Sequence, residues 1–167
     1  MAKQKRERNF FKRWARSSSI WPVRYCVACC STEMAAAMAS RFDMERYGVM
    51  PVWGPRQADF LMVGGIVTKK TAPRLQTIYE QMPEPKYVLA LGGCTSGGGP
   101  YWDSYNAVTD VSTVVPIDVY IPGCPPRPEA ILRGIEIVQE MIRKGIRTDE
   151  PLLVTEKTKI KEVIEAR

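Results

Sequence analysis

The sequence predicts an α/β fold, a single domain with a mostly parallel open sheet flanked by helices. Three observations carry this. Apolar runs of strand length recur at 59–64 (DFLMVG), 86–91 (KYVLAL) and 117–121 (IDVYI), too continuously apolar for a half-exposed sheet. Segments of helical period lie between and after them. Each strand-like run ends on glycine or proline, as short strand-to-helix turns require.

Taken in order, Ser31 or Thr32 caps a helix through Met34, Ala35, Met38 and Ala39, with Glu33 in its first turn. A short apolar stretch, Met50 to Val52, stops at Gly54-Pro55. After the 59–64 strand, Thr71 caps a helix to Met82, with Pro73 in the first turn and Leu75, Ile78 and Met82 along one side. The last helix starts at Arg127-Pro128, buries Ile131, Leu132, Ile135, Val138 and Ile142, and stops at Gly145. Residues 146–167 read as a peripheral segment with a short amphipathic helix, and residues 1–18 as a basic, aromatic N-terminal segment. The domain proper spans 19–145.

Composition narrows the chemistry. Histidine is absent among the 167 residues, which removes His-ligated zinc, Rieske-type clusters, Ser-His-Asp triads and His general bases. No run of eighteen apolar residues occurs, so no segment reads as membrane-spanning, and MAKQKRERNFFKRWAR lacks the apolar core of a secretory signal. Five cysteines without framework spacing favour a reducing compartment. Of the net charge of +6, residues 1–24 carry +7 and the remainder −1. With Phe10, Phe11, Trp14, Ile20 and Trp21 interleaved, this segment suits an anionic membrane surface or an acidic protein partner. Nucleic acid is not an expected partner, because no binding module follows the basic terminus.

The cysteines are the chemical signal. Cys29 and Cys30 are adjacent, Cys94 lies in LALGGCTSGGG, and Cys124 lies in VYIPGCPPRPE. Cys94 and Cys124 each fall three residues past a predicted strand, where open α/β sheets gather their sites. Glycine-dense and proline-stiff loops offer a packing residue little to pack against. They do allow close approach of backbone to a bulky inorganic group. Four soft thiolates fit a 4Fe-4S cluster or zinc. Structural zinc favours CxxC knuckles, of which Cys26 to Cys29 is the sole instance. Zinc and a thiol redox arrangement remain alternatives on spacing.

The motifs ACCSTEM (28–34), GPRQADFLMVGG (54–65), KKTAP (69–73), YEQMPEPKYV (79–88), GGC (92–94) and VYIPGCPPRPEA (119–130) resemble the 20 kDa subunit family of NADH:quinone oxidoreductase (respiratory complex I), also called its B-type family. They resemble less closely the small subunits of nickel–iron hydrogenases. The similarity runs from about Ser19 to Lys144. It implies a flavodoxin-like fold and one 4Fe-4S cluster held by Cys29, Cys30, Cys94 and Cys124. It also implies an electron-relay subunit of a membrane-associated oxidoreductase, not catalytic alone, peripheral on the cytoplasmic side of the cell membrane. Implied partners are a large catalytic subunit related to the D-type subunit of complex I or to hydrogenase large subunits, a ferredoxin-like iron–sulfur subunit, and membrane subunits. Differences from the common respiratory forms suggest an archaeal or bacterial relative, with NADH, ferredoxin or a reduced deazaflavin as donor. The acceptor is then a quinone-like carrier, protons or a sulfur compound. A hydrogenase small subunit and a zinc-stabilised, non-redox scaffold are the competing readings. Against the first, the hydrogenase pattern spaces the two ligands that are adjacent here.

Cys26 departs from the family, whose complex I members usually have glycine there, and reads as a buried free thiol. Arg46, Arg56, Arg74 and Arg127 are candidates to stabilise a reduced cluster. Glu33, one helical turn beyond Cys30, is a candidate proton carrier or a helix-end carboxylate. By resemblance Met34, Met38 and the segment Asp43 to Arg46 face the acceptor cavity, although both methionines suit core packing. No GxGxxG or Walker motif follows a strand, so nicotinamide and nucleotide binding are not expected.

Overall fold

The computed structural model describes residues 10–145 and 152–153. Its elements are α1 (Phe10–Ser18), β1 (Pro22–Cys26), α2 (Cys29–Met38), β2 (Phe60–Gly64), α3 (Ala72–Gln81), β3 (Tyr87–Leu91), α4 (Gly93–Gly97), β4 (Val119–Ile121), α5 (Pro128–Lys144) and β5 (Leu152–Leu153). The strands form one all-parallel sheet in the order β1-β2-β3-β4-β5. This is the open α/β sheet that the apolar runs predict.

A further stretch lies along the free edge of β1. Ile20 and Val49 form a parallel bridge, and Met50 and Val52 donate backbone hydrogen bonds to Ile20 and Pro22. If the Met50-to-Val52 stretch is counted as a strand, the chain steps from β1 to one side and then back across it to β2. That is the strand order of flavodoxin-like sheets, with the switch point between β1 and β2.

The core has two layers, as strand alternation dictates. Phe60, Met62, Leu89 and Leu91 face α2 and α5, meeting Met34, Ile131, Ile135 and Val138. Leu61, Val63, Val88 and Ala90 face α3, meeting Leu75 and Met82. Each large apolar side chain among them contributes roughly 1.5–3 kcal/mol on full burial. α5 ends as predicted, on Gly145 in the left-handed region (φ 64°).

Several boundaries move. The strands begin one or two residues later than the apolar runs do, because Asp59, Lys86 and Asp118 serve other ends. Asp59 accepts a hydrogen bond from the Trp21 N–H at 2.7 Å, and Asp118 accepts one from the Val88 N–H at 2.8 Å. Lys86 Nζ donates to the Tyr79 carbonyl at 2.7 Å, near the end of α3. α2 begins at Cys29, before Ser31 and Thr32, so neither hydroxyl caps it; Ala28, at φ 59°, precedes the helix instead. Cys94 lies in the one-turn helix α4 rather than in a loop. The apolar runs mark neither β1 nor α1, although Phe10, Phe11 and Trp14 stand at helical spacing in α1. Ile20 is a core residue, 1% exposed, and so leaves the aromatic surface set. The helix expected over 146–167 lies outside the described residues, apart from Leu152–Leu153 in β5.

α1 packs on α5. Arg13 Nη1 donates to the Lys144 carbonyl at 3.1 Å, and Arg143 Nε donates to Ser17 Oγ at 3.2 Å. The helix therefore turns Arg13 and Ser17 inward, while Phe10, Phe11 and Trp14 stay exposed.

Candidate metal centre

The sheet register aligns the strand ends. Cys26 pairs with Gly64, Gly64 with Leu91, and Leu91 with Ile121, so the last residues of four adjacent strands stand in one row. Three residues past Cys26 comes Cys29, three past Leu91 comes Cys94, and three past Ile121 comes Cys124. Equal overhangs from level strand ends carry cysteines that are distant in sequence to one edge of the sheet.

Backbone hydrogen bonds join the loops there. Val27 N–H donates to the Gly64 carbonyl at 3.0 Å, Gly92 N–H to Ile121 at 2.8 Å, and Gly93 N–H to Gly123 at 2.7 Å. Cys30 and Cys94 are buried, while Cys29 and Cys124 are exposed. Cys29 and Cys30 are the first two residues of α2.

The thiols act on one another. Burial pushes Cys30 up to about 11; the Gly65 N–H hydrogen bond opposes this, and Cys29 and Cys94 add to it. Cys94 is raised by burial first and then by Cys124 and Cys29. These couplings link Cys29, Cys30, Cys94 and Cys124 in one group. Cys26 couples to Cys30 and Cys29; burial pushes it up to about 12, Cys30 adds to this, and Arg24 pulls it back.

Glycines keep the backbone bare beside the sulfurs. A Cβ on Gly92 would stand 2.8 Å from Cys30 Sγ, and one on Gly99 would stand 3.2 Å from Cys94 Sγ. Among the described residues no group of three or more His, Cys, Asp or Glu side chains is arranged to hold a metal ion. A lone zinc with Zn–S bonds of about 2.3 Å would draw its thiolates to about 3.8 Å from one another. A cube with one thiolate on each of four irons holds its ligands farther apart. Soft donors from three separate segments, with bare backbone at Gly92 and Gly99 beside two of the sulfurs, suit a bulky group of that kind.

The family model for the 20 kDa subunit of NADH ubiquinone oxidoreductase matches residues 26–138. The chain belongs to that family. It is 53% identical over 131 residues to the NADH-quinone oxidoreductase B-type subunit of Chlorobium limicola, covering 78% of this chain and 69% of that one. A B-type subunit of the NADH-quinone oxidoreductase of Symbiobacterium thermophilum is 51% identical over 135 residues, covering 80% and 74%. Among solved structures, a chain of the membrane-bound sulfane sulfur reductase, an archaeal respiratory membrane complex, superposes with a TM-score of 0.78 at 48% identity. The match covers 81% of this chain and 77% of that one. The protein is thus a 20 kDa-family subunit of an oxidoreductase complex, as the motif resemblance implies. None of its described helices is long and apolar enough to cross a membrane.

Within this 20 kDa-family chain the other candidates separate. Arg46, Arg56, Arg74 and Arg127 are all exposed. Glu33 is half-buried on α2, three residues beyond Cys30. Met34 is core, and Met38 Sδ receives Arg24 Nη1 at 3.6 Å. Met44 is fully buried between Asp43, at φ 48°, and the exposed Glu45 and Arg46. Arg24 stands beside the cysteines, and the sequence motifs do not single it out. It lies on β1 two positions before Cys26, on the same face, with its guanidinium 5.4 Å from the Trp53 ring centroid. Strand alternation back from Cys26 is the signal that finds it.

Proposed function

We propose that this chain carries a single 4Fe-4S cluster on Cys29, Cys30, Cys94 and Cys124. As an electron-relay subunit it serves a terminal acceptor site formed with a large catalytic partner. The observation that carries the reading is the level row Cys26–Gly64–Leu91–Ile121, from which cysteine loops project by equal lengths at the sheet's switch-point edge.

The bound cluster would supply one-electron chemistry. The chain's own residues fix where that occurs. The first turn of α2 presents Cys29 and Cys30, the bare backbone at Gly92 and Gly99 admits a bulky group, and Pro125 and Pro126 stiffen the approach to Cys124. Arg24 places positive charge behind Cys26 and so favours the more negative, reduced state. The acceptor class is a quinone-like carrier, protons or a sulfur compound; the likeness to a chain of a sulfane sulfur reductase supports keeping the last. The partners are a large subunit like the D-type subunit of complex I, a ferredoxin-like iron–sulfur subunit and membrane subunits, with this chain peripheral on the cytoplasmic face.

Anaerobically isolated complex tests the assignment by iron and sulfide content and by paramagnetic resonance on reduction. Serine at Cys29, Cys30, Cys94 or Cys124 should remove this centre and leave signals from other subunits. Assembly losses are expected too, because a bound metal group contributes folding energy. Stoichiometric zinc without iron in this chain would overturn the reading in favour of a scaffold.

A further inference from the structure

Among the described residues, Arg24 is a half-buried cation that forms no ion pair with a carboxylate. Its contacts are soft ones. Nη1 meets Met38 Sδ at 3.6 Å, and the guanidinium lies 5.4 Å from the Trp53 ring centroid. With Val23, Cys26, Ser31, Val52 and Trp53 it lines a surface cavity of about 170 Å³, and none of these side chains is acidic. The Ser31 hydroxyl, which has no hydrogen-bond partner among the described residues, adds a second donor there.

We propose that this cavity binds one small, weakly hydrated anion, with Arg24 as its charged anchor and Ser31 as its second donor, and that the bound anion lowers the reduction potential of the neighbouring centre. The binding half stands on the cavity alone; the redox half rests on the cluster assignment above. A guanidinium drawn partly out of water is left uncompensated until a counter-charge arrives, and its planar fork of donors has capacity beyond the Met38 contact. Size limits the occupant. Pockets for small organic molecules run to about 300–1,000 Å³, so this cavity suits an ion of a few atoms rather than a ringed carrier. The walls select among ions, because Val23, Val52 and the indole of Trp53 offer little to replace a tight hydration shell. Thiocyanate, which gives up water cheaply, is therefore favoured over sulfate. The cavity also abuts the cysteines: Ser31 follows Cys30 in α2, and Cys26 pairs with Gly64, whose Cβ would stand 3.2 Å from Cys30 Cβ. An anion in this place offsets the charge of Arg24, which otherwise favours the reduced state.

The assembled complex is titrated with thiocyanate, with sulfate at equal ionic strength as the control. Wild type should show a saturable infrared band of bound thiocyanate, displaced from that of the free ion. Arg24→Met should lose this band. Trp53→Ala changes a side chain that is 88% exposed, so it should fold, and it should bind the ion several-fold more weakly. In wild type the midpoint potential of this one centre should fall with thiocyanate and level off as the band saturates. It should not respond in Arg24→Met, and sulfate should move neither protein. A tenfold change in the reduction equilibrium reads as about 59 mV for one electron. If Arg24→Met does not assemble, Arg24→Lys decides: it keeps the charge without the planar fork and should bind more weakly, and an unchanged affinity overturns the proposal. No saturable band in wild type overturns it and leaves Arg24 to a carboxylate of a partner subunit. The same band in Arg24→Met overturns it by placing the anion elsewhere. A bound anion with an unmoved potential overturns the redox half. Absence of iron from the wild-type chain overturns the cluster assignment itself, and the infrared result then stands by itself.

Discussion

Gly92 holds bare backbone against the sulfur of Cys30: a Cβ there would stand 2.8 Å from Cys30 Sγ and 3.3 Å from the Gly123 carbonyl oxygen. Its φ of 89° and ψ of 166° lie in a region essentially reserved for glycine. One residue thus joins the turn out of β3, the thiol at the start of α2 and the loop that carries Cys124.

Gly92→Ala should accordingly be destabilised by about 1–3 kcal/mol from backbone strain alone, and the clash with a buried sulfur adds to that. Denaturation midpoints measure the first effect, and iron per chain measures the second. Wild-type stability together with full iron would show that the loop accommodates a side chain and that the close approach has no role.

Thiol reactivity in iron-free protein follows burial. Alkylation proceeds through the thiolate. Cys26 and Cys30, pushed up to about 12 and about 11, hold little thiolate at neutral or mildly alkaline pH. The exposed Cys29 and Cys124 should be labelled first there, with Cys26 and Cys30 catching up only as the pH rises toward their own values. Peptide mass spectrometry across a pH series from neutral upward reads the order. Early labelling of Cys26 would mean that its thiol is more open than its close packing against Gly64 allows, where a Cβ would stand 2.5 Å from Cys26 Sγ.

Much of this architecture is legible in the sequence, and the gaps have physical causes. The runs ending at Gly64, Leu91 and Ile121 lie in a sheet covered on both faces, so continuous hydrophobicity betrays them. β1 is an exception. It carries Arg24 and half-exposed Tyr25 because one flank meets only the Met50-to-Val52 stretch, and PVRYC shows no apolar run. α2 starts earlier than its capping residues indicate, since Ala28 takes a positive φ without a capping side chain, something no residue preference signals. The four cysteines are legible from their loops. Their common level is not, because register is a property of pairing between strands. Arg24 is hidden for the same reason: its relevance depends on β1 being a strand.

Arg24 should matter more to the centre than the arginines that motif similarity singles out. Its guanidinium acts on Cys26 and touches Met38 Sδ, whereas Arg46, Arg56, Arg74 and Arg127 all face solvent. Exposed charges are screened within about 8–10 Å at physiological salt. Arg24→Met should therefore lower the midpoint potential of this chain's centre by more than Arg74→Met does. Equal shifts in a redox titration would place the stabilising charge elsewhere.

α1 turns polar groups toward the domain, through Arg13 to Lys144 and Ser17 to Arg143, and leaves Phe10 67%, Phe11 80% and Trp14 59% exposed. That is the reverse of an ordinary surface helix, whose apolar side faces the core. Lys12 lies among these aromatics, Arg143 lines a cavity with Phe10 and Trp14, and residues 1–24 carry +7, so the complementary surface is apolar and anionic. An acidic lipid membrane has both properties. The purified chain should co-float with vesicles rich in anionic lipid and much less with neutral ones. Salt should weaken the binding without abolishing it, and serine at Phe10, Phe11 and Trp14 together should remove the salt-resistant part. These three side chains stand outside the core, so the variant should fold. Wild-type flotation by the triple variant would show that the aromatic face is not the anchor. No flotation by wild type, combined with loss of the variant from the membrane complex, would assign this face to a protein partner instead.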